Sequence, residues 1–336
     1  MSGVRGPRGF RWIGDDRVET AFGSAPAGSM YVEWEFPGDP GRPCPLVLVH
    51  GGGGQGTDWL GTPDGRPGWA SYLVQDGWPV YVVDRPGHGR SPRPPASTDS
   101  GPAPTVHIAA GVFAPGTDER HTQWPGEGGP DDPAVGQLAA SSTPLPADLA
   151  AAQALDARRL VQLLEHTGPA VLVTHSLGAL AGWLAADARP DLVRAVVAVE
   201  PPGPPFLSVP EMGLSLEWGL TAAPITYDPP VDAADRIDRA HPGSLTRLSG
   251  IPVAVVVAEA STMSGGSEPV VEFLRAVGVD AQLLRLADHG VHGNGHGLMM
   301  ERNNQEALDV VLQWLEKALA GSVHGTEVSN GVHPRP

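Results

Sequence analysis

AVLVTHSLGALAGWLAA, residues 170–186, joins a run of aliphatic and β-branched residues to a run of small and aliphatic ones, with Ser176 at the join. The first run reads as a buried strand and the second as a helix. A serine at such a junction lies on a sharp strand-to-helix turn. Its hydroxyl is exposed there, and the unpaired N–H groups of the helix start lie close by. The pattern that favours this geometry is G-x-S-x-G. Here Thr174 stands at the first glycine position and Gly178 keeps the second. A small residue at each position lets strand and helix approach closely, so the threonine is a departure that the packing must absorb. Taken alone, the motif could also be an ordinary helix N-cap serine.

The segment PLVLVHGGGGQGTDW, residues 45–59, weakens that alternative. It places His50 and four glycines directly after a strand-like run. An activated serine needs two backbone N–H donors for the oxyanion that forms during acyl transfer. One comes from the residue after the serine, here Leu177, and an HGGG-type loop supplies the other, here Gly52 or Gly53. Gly51, Gly53 and Gly56 also fit G-x-G-x-x-G, and Asp84 ends the next strand as a ribose-binding acid would. That nucleotide reading wants the glycines to open a helix directly, whereas residues 57–67 read as loop.

In folds with such an elbow the triad runs serine, acid, histidine along the chain. The base therefore lies late, in ADHGVHGNGHGLMMERNN, residues 287–304. His296 is the expected base, on a glycine-rich loop able to carry an imidazole back over the sheet edge; His289 and His292 are the alternatives. Three histidines on one loop lack the helical spacing of a zinc motif, so no metal is expected. The acid is open between Glu200 in AVVAVEPPGPP and Glu259 in VAVVVAEAS, each at the end of a strand. Trp59, His175 and Trp124 are candidate pocket residues. A neutral imidazole base predicts activity that rises through an apparent pKa near ~6.5.

Around these motifs, strand-like and helix-like runs alternate as in an α/β fold with a mostly parallel sheet covered on both faces. Strands are expected at 30–36, 45–50, 80–84, 170–174, 195–200, 252–257 and 281–286. Helices are expected at 68–75, 147–166, 177–186, 269–277 and 301–319. Two stretches rich in Pro and Gly, 91–146 and 201–242, interrupt the alternation and read as irregular lid insertions. Residues 1–320 then form one domain, and 321–336 a flexible tail. The formal net charge of -16 repels phosphate backbones and anionic headgroups, which excludes nucleic acid as a partner. Cys44 is the only cysteine, so no intrachain disulfide can form. The opening MSGVRGPRGFRWIGDD has no signal-like apolar run, and no later stretch nears the ~20 apolar residues of a membrane span. A cytoplasmic protein with no membrane partner is expected, and a homodimer is left open.

Five segments together carry a family resemblance: HGGGGQGTDW, TPDGRPGWASYLVQDGWPVYVVDRPGHGRSP, THSLG, VEPPGPP and GNGHGLMMERNN. They resemble the bacterial esterases grouped as esterase 713-like, a family of the α/β-hydrolase fold, from about Gly51 to the final helix. The resemblance implies a Ser, Glu, His triad with the glutamate after the strand beyond the elbow, which corresponds to Glu200 and His296. It implies hydrolysis of a small-molecule carboxylic ester through an acyl-enzyme on Ser176, with no cofactor. A lactonase, an acyltransferase or a carbon–carbon bond hydrolase could use the same triad, and a ligand-binding receptor on the same fold is the non-enzyme alternative.

Overall fold

A computed structural model describes residues 7–39, 41–93, 104–116 and 118–323. The strands, in chain order, are β1 (Arg8–Ile13), β2 (Arg17–Thr20), β3 (Gly23–Pro26), β4 (Met30–Glu35), β5 (Leu46–Val49), β6 (Val80–Asp84), β7 (Ala170–His175), β8 (Val193–Val199), β9 (Ser208–Val209), β10 (Leu214–Ser215), β11 (Val253–Val257) and β12 (Ala281–Arg285). The helices are α1 (Thr57–Leu60), α2 (Trp69–Gln75), α3 (Val106–Phe113), α4 (Pro133–Ser141), α5 (Leu149–Thr167), α6 (Gly178–Ala188), α7 (Ser267–Ala276) and α8 (Asn304–Val323).

Eight strands form one sheet in the order β1-β4-β6-β5-β7-β8-β11-β12. β1 and β4 run antiparallel at one edge, and the six strands from β6 to β12 are mutually parallel. Successive side chains of a strand face opposite sides of a sheet. Val47 and Val49 accordingly join one core with residues of α5, α6 and α7, while Leu46 and Leu48 join the other with α2, α3, α4 and α8. Burial on both faces is why these strands read as unbroken aliphatic runs.

Each expected strand and helix is present, with ends shifted by a few residues. The N-terminal strand β1 and the β2–β3 hairpin were not foreseen. On the edge strand β1, Phe10 and Trp12 stay exposed, so no buried apolar run marks it. The 91–146 stretch is less irregular than expected, since it holds α3 and α4. Their start signals are in the chain: Thr105 caps the Ile108 N–H, and Asp132 caps the Ala134 N–H with Pro133 in the first turn. α1 replaces the start of the loop expected over 57–67. α8 runs through Val323, into the stretch expected as a flexible tail; 324–336 lie outside the described residues. No helix among the described residues is long and apolar enough to cross a membrane.

Candidate active site

Parallel register brings the sequence candidates together. β5 and β7 pair with Val49 opposite Thr174, and β7 and β8 with His175 opposite Val199. The chain therefore leaves three adjacent strands as His50–Gly51, Ser176 and Glu200, side by side at the C-terminal ends of the central parallel strands. Ser176 has φ 48°, a left-handed conformation that costs a non-glycine residue about 1–3 kcal/mol. Its N–H donates to the Val199 carbonyl at 2.9 Å, which helps hold the turn. Ser176 is partly exposed, whereas Thr174, His175 and Gly178 beside it are buried.

Gly178 is required at the elbow because a methyl group there would lie 2.3 Å from the His50 carbonyl oxygen. The threonine at the other glycine position is absorbed across the interface. A methyl on Gly182 of α6 would come within 2.8 Å of Thr174 Cγ2. The glycine missing from the strand side is thus supplied one helical turn into α6. Gly182→Ala should therefore destabilise the protein by about 1–2 kcal/mol, as overpacking does, despite alanine's better helix propensity. Thr174→Ser, which deletes Cγ2, should make the same alanine neutral or stabilising. Denaturant titration of the four proteins in this cycle would show the coupling, and additive effects would reject it.

Glu200 is fully buried and also has a positive φ, 52°. Its Oε1 accepts the Ala258 N–H at 2.6 Å and its Oε2 the Ser261 hydroxyl at 2.5 Å. His296 Nδ1 lies 3.5 Å from the same Oε2. Burial, with the Glu301 charge behind it, pushes the Glu200 carboxyl up to about 8 against the pull of the two donors. Burial also lowers the His296 imidazole to about 4, with Glu301 opposing. The histidine loop is pinned beside the elbow by His175, whose Nε2 lies 3.0 Å from the His296 carbonyl oxygen. That nitrogen is the donor, and the two rings sit 4.7 Å apart.

The other acid candidate faces elsewhere. Glu259 accepts the Gly293 N–H at 2.9 Å and meets the exposed His292 at 3.3 Å, on the far side of the loop. The Gly293 N–H holds its carboxyl below the usual range. His289 is exposed, while His296 is buried. Of the expected oxyanion donors, Gly52 abuts Leu177, since a methyl on it would lie 2.3 Å from Leu177 Cδ1. The Gly53 carbonyl accepts the Thr143 N–H at 2.7 Å. Of the expected pocket residues only His175 borders the pair. Trp59 packs behind it against Trp69, and the Trp124 indole N–H is bound to Asp132 at 2.8 Å. Both indoles are wholly interior. The nucleotide alternative also loses its acid. Asp84 is fully buried and bound by the Gly56 N–H, the Arg90 N–H and Arg90 Nε.

Three contributors were missed in the sequence. Ser261 supports Glu200. Glu301, fully buried, accepts the Gly295 N–H at 2.9 Å, the Asn294 amide at 2.8 Å and His121 Nε2 at 2.7 Å. Phe113 lies with its ring 5.5 Å from that of His296. His121 and Phe113 both come from the 91–146 stretch, so that segment buttresses the histidine loop. Glu301 follows the histidine motif directly, and a carboxylate with no solvent role in GNGHGLMMERNN was the available signal.

Residues 45–230 match the family model described as alpha/beta hydrolase fold. The chain is 36% identical over 313 residues to a protein described as probable secreted lipase phiG, from Fungal sp. (strain ATCC 74256), covering 86% of each chain. The word secreted runs against the cytoplasmic expectation drawn from the opening residues. Among solved structures, a bacterial esterase superposes with a TM-score of 0.70 at 24% identity, covering 95% of this chain and 96% of its own. That likeness is one of fold.

Proposed function

The chain belongs to the α/β-hydrolase fold family, and from that premise we propose that it is a serine hydrolase of uncharged carboxylic esters. The observation that carries this reading is the elbow: Ser176 at φ 48°, with the buried Glu200–His296 pair pinned beside it. Three features support an apolar, uncharged ester. Leu145 and Leu177 close on Gly52, and Phe113 closes on His296. A net charge of -16 repels anionic substrates. The relative of 36% identity is described as a lipase.

In this reading His296 Nδ1 faces Glu200, which leaves Nε2 to take the Ser176 proton. Ser176 Oγ attacks the ester carbonyl carbon, and the oxygen that gains charge is held by the Leu177 and Gly52 N–H groups. Collapse expels the alcohol, which takes its proton from His296. Water, deprotonated by His296, then releases the acid and restores Ser176. The 3.5 Å contact is long for the resting pair and tightens once the imidazole is charged. Incubation with a fluorophosphonate followed by peptide mass analysis tests the reading. The adduct is expected on the peptide carrying Ser176, and an adduct elsewhere, or none, would reject it.

Glu200 and His296 face each other at 3.5 Å, so the pair's proton content decides which form can act. With the carboxyl raised to about 8 and the imidazole lowered to about 4, the pair holds one proton between those values. The competent form, carboxylate with neutral imidazole, gains population as pH rises through the upper step. Activity should therefore climb on the alkaline side of neutrality rather than through ~6.5, the free-imidazole value. Glu200→Gln removes the upper step and leaves the imidazole alone, so the residual activity of that variant should rise at a much lower pH, toward about 4. Profiles of kcat/KM for the two proteins check this. An unmoved limb would show that Glu200 and His296 are not coupled.

A further inference from the structure

Arg85 directly follows β6 and is buried, with 5% of its surface exposed. Its Nη1 donates to Asp156 Oδ2 of α5 at 2.8 Å, and its Nη2 donates to the Gly51 carbonyl at 2.7 Å. Its main-chain N–H donates to His50 Nε2 at 2.9 Å. That last bond fixes the His50 tautomer: Nε2 accepts, so the proton sits on Nδ1. Nδ1 lies 2.9 Å from the Gly51 oxygen and donates to it. One carbonyl thus receives two side-chain donors, and Arg85 supplies the first and orients the second.

The Gly51 C=O and the Gly52 N–H belong to one planar trans peptide, where they point in opposite directions. Holding the oxygen fixes the direction of the N–H. Among the described residues no protein acceptor faces the Gly52 N–H, and Gly52 is partly exposed beside Leu177. A glycine run has little intrinsic preference for one peptide orientation, so something outside the loop must impose it. We propose that Arg85 is a positioning residue for the oxyanion loop, aiming the Gly52 N–H by clamping the far end of its peptide unit. The proposal rests on Ser176 being the nucleophile and adds a residue that touches no substrate. It also accounts for a costly feature, because a buried ion pair stabilises a fold no better than apolar side chains of the same volume. The Arg85–Asp156 pair presents a rigid donor to a flexible loop.

The test is Arg85→Gln made together with Asp156→Asn, so that no charge is left buried alone. Active sites are counted by fluorophosphonate titration, and rates are expressed per titrated site. The kcat for p-nitrophenyl butyrate should fall roughly ten- to a hundredfold, somewhat less than deletion of an oxyanion donor costs. KM should change little, and the Ki of a trifluoromethyl ketone, which mimics the tetrahedral state, should weaken in parallel with kcat/KM. The pH at which activity rises should not move, because His296 and Glu200 are untouched. A wild-type kcat per titrated site would overturn the proposal and leave Arg85 a structural residue. A shifted pH limb would overturn it too, by showing that Arg85 acts through the histidine. If the double variant does not fold, Arg85→Lys decides by the same readouts. Among the described residues Arg85 Nε has no partner, so both contacts run through the terminal nitrogens, and a single ammonium cannot reproduce their spread. Failure of the underlying reading is separate, since it would appear as labelling that survives Ser176→Ala.

Discussion

Ser176→Ala should abolish ester hydrolysis and fluorophosphonate labelling together, with a loss in kcat on the order of a million-fold, as for deletion of an activated serine in the best-measured serine hydrolase. No other residue in the site can replace it as nucleophile, and Cys44, the only thiol, is buried elsewhere among core residues. The variant should fold, because alanine bears the same backbone strain at φ 48° that serine does. Ser176→Gly separates the two roles of the position. Glycine relieves the left-handed strain, so this variant should be as inactive as the alanine one and yet more stable than the native protein, by about 1 kcal/mol. Thermal denaturation beside an ester assay reads both. Labelling that survives in either variant would end the assignment of Ser176, and a glycine variant less stable than the alanine one would show that the elbow is unstrained.

The parts of this site that lie next to each other in sequence were legible, and the parts joined only by packing were not. The strand–Ser176–helix junction and the His50 glycine run announce themselves, because strand period, glycine content and turn position are local properties. Parallel pairing then brings them together without further information. The compensation of Thr174 by Gly182 joins two residues eight apart whose relation depends on how α6 lies over β7, so the threonine could be read only as a departure. Ser261 acts through a hydrogen bond to a carboxylate on another strand end, and nothing in its own neighbourhood distinguishes it from a surface polar residue; Glu301 had only its place after the histidine motif to mark it. Arg85 is the clearest case. An arginine after a buried strand reads as a solvated strand end, and its function appears only once Gly51 and Asp156 are brought to either side of it. The insertion was misjudged for another reason: Pro and Gly content suggested loop, while the caps at Thr105 and Asp132 carried the helical signal.

Glu200→Gln should cut kcat by several orders of magnitude and Glu259→Gln by far less. The residues alone left the two open, and the resemblance favoured Glu200. Pro201 and Pro202 follow Glu200 at once and restrict the strand end, whereas Glu259 leads into Ala260, Ser261 and a glycine-bearing turn. The geometry adds a sharper difference. Glu200 is fully buried, reaches His296 Nδ1 and is fixed by the Ala258 N–H and the Ser261 hydroxyl, so its carboxylate direction is determined before substrate arrives. Glu259 is partly exposed and faces His292 and the Gly293 N–H, so its carboxylate steadies the back of the histidine loop. An amide at 200 can still accept the Ala258 N–H, which preserves the fold. It cannot balance an imidazolium, and its NH2 group can pair with His296 only when Nδ1 carries no proton, the wrong tautomer for a base acting through Nε2. The comparable aspartate-to-asparagine change in a serine protease costs about 10⁴ in kcat. At 259 an amide keeps an acceptor for Gly293 and loses only a solvent-screened contact with His292. Measured kcat for both variants, with circular dichroism to confirm folding, decides between them; a crippled Glu259→Gln beside a near-normal Glu200→Gln would move the acid to the end of β11 and leave the buried contact with His296 without a catalytic role.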